Sequence, residues 1–151
     1  MRTVKEILAS KAPLTNVIEP TKLIIEGLQL LNTVNLSYLV VMEGDDYKGI
    51  FSEKDYARNV VLKGHSSKDT MIREVMTTDL PVVSLTDTLE HCMNRMNTHR
   101  TRYILAYDNK KFMGIITIHD VLRQVLANKE EAFDHTLTRN LIDSDERGRI
   151  F

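Results

Sequence analysis

Apolar residues return along this chain at two spacings, one helical and one extended, in the same order twice over. Leu89, Cys92, Met93 and Met96 stand at i, i+3, i+4 and i+7, and Ile24, Gly27, Leu28 and Leu31 repeat the pattern upstream. That is the period of an amphipathic helix, and Thr86-Asp87-Thr88 ahead of Leu89 supplies capping residues for its start. A short turn follows each helix, Thr33-Val34-Asn35 or Thr98-His99-Arg100, and then an apolar run over residues 38–42 or 103–107 that predicts a short buried strand. Gly44-Asp45-Asp46 and Asp108-Asn109-Lys110 are hairpin-turn sequences, so residues 47–51 and 112–116 are expected to return as second strands. Helical spacing resumes over residues 52–62 and 117–126, where Tyr56 and Val60, and Val121 and Val125, lie four apart. With Val17-Ile18 and Val82-Val83-Ser84 as opening strands, each copy reads strand, helix, strand, strand, helix.

The two copies align without a gap, residues 17–62 on residues 82–127, at a constant offset of 65. Val17/Val82, Thr21/Thr86, Asn32/Asn97, Tyr38/Tyr103, Gly49/Gly114, Ile50/Ile115, Asp55/Asp120, Arg58/Arg123 and Val60/Val125 are identical. A shared apolar period would preserve only hydrophobic spacing; a glycine, an aspartate and an arginine recurring at fixed distances imply shared backbone geometry. The period exceeds the roughly 20–50 residues of solenoid repeats, so each copy is a small α/β subdomain and the two are expected to share one core. Upstream of each, Val4-Lys5-Glu6-Ile7-Leu8 parallels Ile72-Arg73-Glu74-Val75-Met76, here at an offset of 68. The expected division is a first repeat over 1–66, a second over 67–128 and a C-terminal helix with a charged tail over 129–151.

Composition narrows the classes. At 151 residues and 42% hydrophobic the chain can bury a core without staples. Its one cysteine, Cys92, excludes an intramolecular disulfide and points to a reducing compartment. No signal-peptide pattern opens the chain and no apolar run approaches the roughly 18 residues of a membrane helix, so a soluble cytoplasmic protein without a membrane partner is expected. A net charge of −1 with both signs interspersed leaves no broad footprint for nucleic acid. The histidines, His65, His91, His99, His119 and His135, lack metal-type spacing with one another or with Cys92, so neither a metal site nor catalytic residues are expected, and the chain does not read as an enzyme. Cys92 lies on an apolar helix face as a buried, inert thiol, and Met93, Met96 and Met113 read as core filler.

The strings Gly49-Ile50-Phe51-Ser52-Glu53-Lys54-Asp55 and Gly114-Ile115-Ile116-Thr117-Ile118-His119-Asp120 carry the candidate chemistry. Each stands where strand becomes helix, where backbone N–H groups and the helix dipole favour an anion such as phosphate. The hydroxyl can add a hydrogen bond, the carboxylate three residues on can accept from two sugar hydroxyls, and the strand glycine lets a flat ring approach the backbone. The same spacing also resembles a capping box, in which the hydroxyl and the carboxylate satisfy the helix start and bind nothing. The two roles are compatible, and duplication of the whole string favours a nucleotide site in at least one copy.

With these strings and the turn-into-strand Asn35-Leu36-Ser37-Tyr38-Leu39-Val40-Val41, the tandem copies resemble a pair of cystathionine-β-synthase-type (CBS) domains, or Bateman module, of the small stand-alone bacterial kind, over about residues 1 to 128. The resemblance implies an α/β (α+β) fold of two pseudo-symmetric β-α-β-β-α subdomains packed sheet to sheet. Their clefts would bind an adenosine-containing ligand: AMP, ADP, ATP, NAD(H) or S-adenosylmethionine. It further implies that Asp55 and Asp120 hold ribose hydroxyls and that Ser52 and Thr117 contact ribose or phosphate. Leu36, Ser37 and Tyr38, or Thr101, Arg102 and Tyr103, would flank adenine with Val17 and Ile50, or Val82 and Ile115. Arg100, Arg102, Lys54 and His119 are the cations nearest the phosphate positions, arginine being favoured by its planar fork. Arg58 and Arg123 read as a solvated helix face. Where many relatives show Arg-Ile-Arg-His-Leu-Pro-Val, this chain has Arg100-Thr101-Arg102-Tyr103-Ile104-Leu105-Ala106, which keeps both arginines and loses the histidine and the proline.

No cofactor is obligatory on this reading, and the implied partners are adenine nucleotide, a second copy of the chain in a homodimer, and an unknown regulated protein. The alternative is a structural homodimerisation module whose strings only cap helices. Near the C-terminus, Phe133, Leu137, Leu141 and Ile142 fall near helical spacing, with an apolar face destined either for the body or for another subunit.

Overall fold

Both copies fold by the same local rules. The computed structural model describes residues 2–127 and 135–146. In chain order its elements are helix α1 (Val4–Ala9), strand β1 (Val17–Ile18), helix α2 (Ile24–Val34), strands β2 (Tyr38–Glu43) and β3 (Asp46–Ser52), and a single turn α3 (Glu53–Asp55). A π-helical turn over Tyr56–Val61 and a 3-10 turn over Ile72–Glu74 follow. The second copy supplies β4 (Val82–Ser84), α4 (Leu89–His99), β5 (Tyr103–Asp108), β6 (Lys111–Thr117) and α5 (Ile118–Ala127), and α6 (His135–Glu146) comes last. This is a mixed α/β fold with two three-stranded sheets, ordered β1-β2-β3 and β4-β5-β6. In each, the opening strand is parallel to the next and the hairpin is antiparallel, with a register shift at Val41/Met42 and again at Ala106/Tyr107.

Chemistry at the element ends follows the sequence. Thr88 caps α4 through its Oγ1, which accepts from the His91 amide at 3.1 Å. Both long helices end in a left-handed residue, Asn35 and Arg100, whose N–H returns to Leu31 and Met96. The hairpins turn on Gly44 and Asn109, both at positive φ. Gly27, unfavourable in a helix interior, lies against Phe51 and Ile72, so close packing explains it. One expectation changes: the helix after the first string is a π turn beyond Asp55, with Leu62 N–H donating to the Ala57 carbonyl at 3.0 Å. Apolar spacing does not distinguish the two, because Tyr56 and Val60 share the inner face either way.

The compact units do not coincide with the sequence division at residue 66. One is Pro13–Asp79; the other joins the chain up to Ala12 to the chain from Leu80 onward. The cause is the two leader segments, each of which packs on the body of the other copy. In the first unit, Ile72 N–H donates to Lys22 O and Ile24 N–H to Thr70 O, and Ile72 and Val75 enter a core with Ile24, Leu31, Leu39, Val41, Phe51 and Val60. In the second, Val4 N–H donates to Asp87 O and Leu89 N–H to Arg2 O, and Val4 and Ile7 enter a core with Leu89, Cys92, Met96, Ile104 and Ile116. These pairings correspond residue for residue, the leaders at the offset of 68 and the bodies at the offset of 65. Each compact unit thus has an apolar core of its own, completed by the leader of the other copy. Leu137 and Leu141 of α6 are buried in the second unit's core and α6 packs on α4, so this part of the C-terminal apolar face covers the body. Phe133 and the end of the charged tail lie outside the described residues.

Candidate functional site

Each Gly-to-Asp string closes on itself in the same way. In the first unit Ser52 is the N-cap of α3, its Oγ accepting from the Asp55 amide at 3.2 Å, while Asp55 Oδ2 accepts from Ser52 N–H at 2.9 Å and Ser52 Oγ at 3.0 Å. In the second unit, Thr117 Oγ1 accepts from the Asp120 amide at 3.3 Å. Asp120 Oδ2 accepts from Thr117 N–H at 2.8 Å and Thr117 Oγ1 at 3.0 Å. Aspartate thus completes the box that more often uses Glu or Gln.

Fewer amides remain for an anion than the helix start promised. The amides of Ser52 and Thr117 are taken by the carboxylates, and those of Asp55 and Asp120 by the hydroxyls. Glu53 and Ile118 donate theirs to the carbonyls of Ser37 and Arg102, at 3.0 and 2.9 Å. The turn into β2 or β5 is thereby tied to the string. An anion placed at either helix start would be met chiefly by side chains.

The carboxylates differ in what fills their remaining capacity. Asp55 is 1% exposed, and its Oδ1 accepts from Thr77 Oγ1 at 2.8 Å and, at 3.5 Å, from Asn59 Nδ2, which also donates to Val75 O. Burial raises its pKa above the ordinary value of 3.8, and the hydrogen bonds from Thr77 and Ser52 and the charge of Arg58 oppose the rise. Asp120 is 5% exposed; Lys11 Nζ lies 2.7 Å from its Oδ2 and also donates to Ile115 O at 2.6 Å. Arg123, mostly in solvent, reaches only to 4.0 Å from Oδ1, in keeping with a solvated face.

The strand glycines serve the leaders. A Cβ on Gly49 would stand 2.8 Å from both the Met76 sulfur and the Thr77 carbonyl oxygen, and one on Gly114 would stand 2.9 Å from Leu8 Cδ2. The reading of these glycines as room for a flat ring is corrected accordingly: protein already occupies that space.

Other predicted site residues sit around the strings. Tyr38 pairs with Ser52 and Tyr103 with Thr117 across the hairpins. Val17 and Val82, on the edge strands, are 40% and 47% exposed, and Leu36 is 41% exposed. Ser37, Arg100 and His119 are exposed, Lys54 and Arg102 half-buried. Ile50 and Ile115 are fully buried, so they reach the surroundings of the string through backbone alone. Thr101 is buried, its hydroxyl engaged with the Tyr103 N–H and carbonyl. Lys11, Asn59 and Thr77 were not legible as site residues; the parallel between the leaders was the available signal, and it carried no hint that each leader serves the other copy.

Cys92 is buried, and burial first, then the charge of Asp87, pushes its thiol up to about 12, so it stays protonated and inert at neutral pH. Among the described residues no cluster of three His, Cys, Asp or Glu side chains is placed to hold a metal ion, and no helix is long and apolar enough to cross a membrane.

Comparison with known proteins gives a consistent picture. A family model described as "CBS domain" matches residues 72–127. A solved structure of a protein with CBS domains from Burkholderia ambifaria MC40-6 is 32% identical, with a TM-score of 0.76, covering 88% of this chain and 100% of that one. The CBS domain-containing protein CBSX3, mitochondrial, of Arabidopsis thaliana is 28% identical over 111 residues, 70% of this chain and 54% of its own length. The chain thus spans about half the length of that relative. A structure of CBSX2 in complex with AMP shares the fold at a TM-score of 0.67 and 24% identity, covering 84% of this chain and 98% of that one.

Proposed function

The chain belongs to the CBS-domain family, a family of regulatory modules, and from that premise we propose that it binds an adenosine-containing ligand at its Gly-to-Asp strings and modulates a partner protein. The observation that carries the reading is the exposure of Val17 and Val82, repeat partners at 40% and 47%, each in an opening strand whose next residue, Ile18 or Val83, is buried. The far strand of each of these sheets leads into a hydroxyl and a carboxylate in duplicate geometry. Exposed apolar side chains together with a few polar groups suit the flat face and the sugar of a nucleoside. In this reading adenine and ribose meet Val82, Tyr103, Thr117 and Asp120 in the second unit, whose counterparts in the first are Val17, Leu36, Ser37, Tyr38, Ser52 and Asp55. Arg100, Arg102, Lys54 and His119 meet the phosphates. The AMP seen in CBSX2 supports the ligand class. AMP, ADP, ATP, NAD(H) and S-adenosylmethionine are the candidates, the module acts by binding and not by catalysis, and a second copy of the chain and a regulated protein are the proposed partners.

The test is a thermal-shift series with those ligands on wild type, Asp55→Ala and Asp120→Ala, each variant compared with its own ligand-free midpoint. A ligand at 100 times its Kd adds about 2.7 kcal/mol, so a rise of several degrees that one variant loses is expected. A second reading draws on the complete capping of Asp55: the strings only secure helix starts and the module serves dimerisation. It predicts no shift with any ligand.

A further inference from the structure

The two strings are closed by different chemistry. In the first unit, Thr77 N–H donates to Ile50 O at 2.8 Å and Thr77 Oγ1 to Asp55 Oδ1 at 2.8 Å. Ile50 N–H donates back to Thr77 O at 2.9 Å, so a backbone bridge holds the closing group in place. In the second unit both acceptors, the carbonyl of Ile115 and the carboxylate of Asp120, are taken by the ammonium of Lys11, at 2.6 and 2.7 Å. Lys11 lies just beyond α1 in a stretch without regular structure, and its side chain is partly open to solvent. One site is shut by a short hydroxyl held in place through its own main chain, the other by a single long side chain.

We propose that Lys11 is the gating residue of the second string: it competes with the ligand for Asp120, and its departure opens that site while the first string stays closed. The proposal rests on the reading that the strings bind an adenosine-containing ligand. A ribose diol that bridges both carboxylate oxygens needs Oδ2 as well as Oδ1, and Oδ2 already accepts from Lys11 Nζ, Thr117 N–H and Thr117 Oγ1, whereas the group nearest Oδ1 is Arg123 at 4.0 Å. Opening the second string requires rotation of one four-carbon side chain, whose ammonium can re-solvate in water. Opening the first requires breaking a two-bond bridge and stripping Asp55 of Thr77. The chain therefore binds one ligand, at Asp120, with an affinity held down by the loss of a charge-assisted contact.

The experiment is an AMP titration of the full chain followed by amide NMR at Ser52, Asp55, Thr117 and Asp120, on wild type, Lys11→Met and Lys11→Gln. Expected are shifts at Thr117 and Asp120 with one AMP per chain, and tightening of about tenfold in Lys11→Met, the scale of one charge-assisted hydrogen bond. Asp120→Asn combined with Lys11→Met should abolish that gain. Should Lys11→Met fail to fold, Lys11→Gln, which keeps a donor without the charge, is expected to tighten binding in the same direction. Unchanged or weaker binding in the folded variants, or shifts confined to Ser52 and Asp55, would each overturn the gate while leaving the nucleotide reading intact. No binding of AMP or of the other adenosyl ligands by any of the proteins would remove the nucleotide reading, and the gate with it.

Discussion

Asp55 carries opposed demands in one side chain: burial favours its neutral form, and donors from Thr77 and Ser52 favour its charge. With the folded pKa above 3.8, the folded state binds more protons than the unfolded chain between those two values, so the group contributes most below pH 3.8 and loses that contribution as pH rises through the folded value. Asp55→Asn turns an amide N–H₂ toward existing donors and should cost about 1–3 kcal/mol. Urea midpoints measured from pH 4 to 7 should show the gap between wild type and variant widest at the acid end and narrowing upward. A gap that widens with pH would mean that the ionised form is the one the donors hold. The string itself was legible, because hydroxyl, carboxylate and spacing recur. Its partners Thr77, Asn59 and Lys11 were not, since nothing local marks a threonine, an asparagine or a lysine as facing a carboxylate far along the chain.

At the scale of elements, two glycines of one repeat answer to different neighbours. A Cβ on Gly27 would meet Ile72 Cδ1 at 2.9 Å, the free end of a flexible side chain, and alanine gains about 1 kcal/mol of helix propensity. Gly27→Ala is therefore expected to lie within about 1 kcal/mol of wild type. A Cβ on Gly49 would meet the Thr77 carbonyl at 2.8 Å, main chain fixed by its bridge to Ile50, so Gly49→Ala should cost about 1–3 kcal/mol. Equilibrium urea unfolding of both variants checks the order, and equal losses would mean that the leader moves aside freely. The periods predicted helices, strands and hairpins because side-chain direction repeats within a few residues. They missed the π turn after Asp55, because widening one turn leaves Tyr56 and Val60 on the same face.

For the whole molecule, the compact unit Pro13–Asp79 implies that a fragment of those residues folds where one ending at residue 66 does not. The shorter fragment lacks Ile72 and Val75 from its core and Thr77 from its string. Cooperative thermal unfolding by circular dichroism is expected for 13–79 and a featureless melt for 1–66, although a unit this small has little stability to spare. The sequence by itself determined the repeat, the order of elements and the position of both strings, because period, caps and turn residues act over a few neighbouring positions. Tertiary structure alone decided which leader closes which copy, and that Lys11 meets Ile115 and Asp120 from 104 and 109 positions away. Those contacts depend on where the chain crosses in space, which no local pattern of residues encodes.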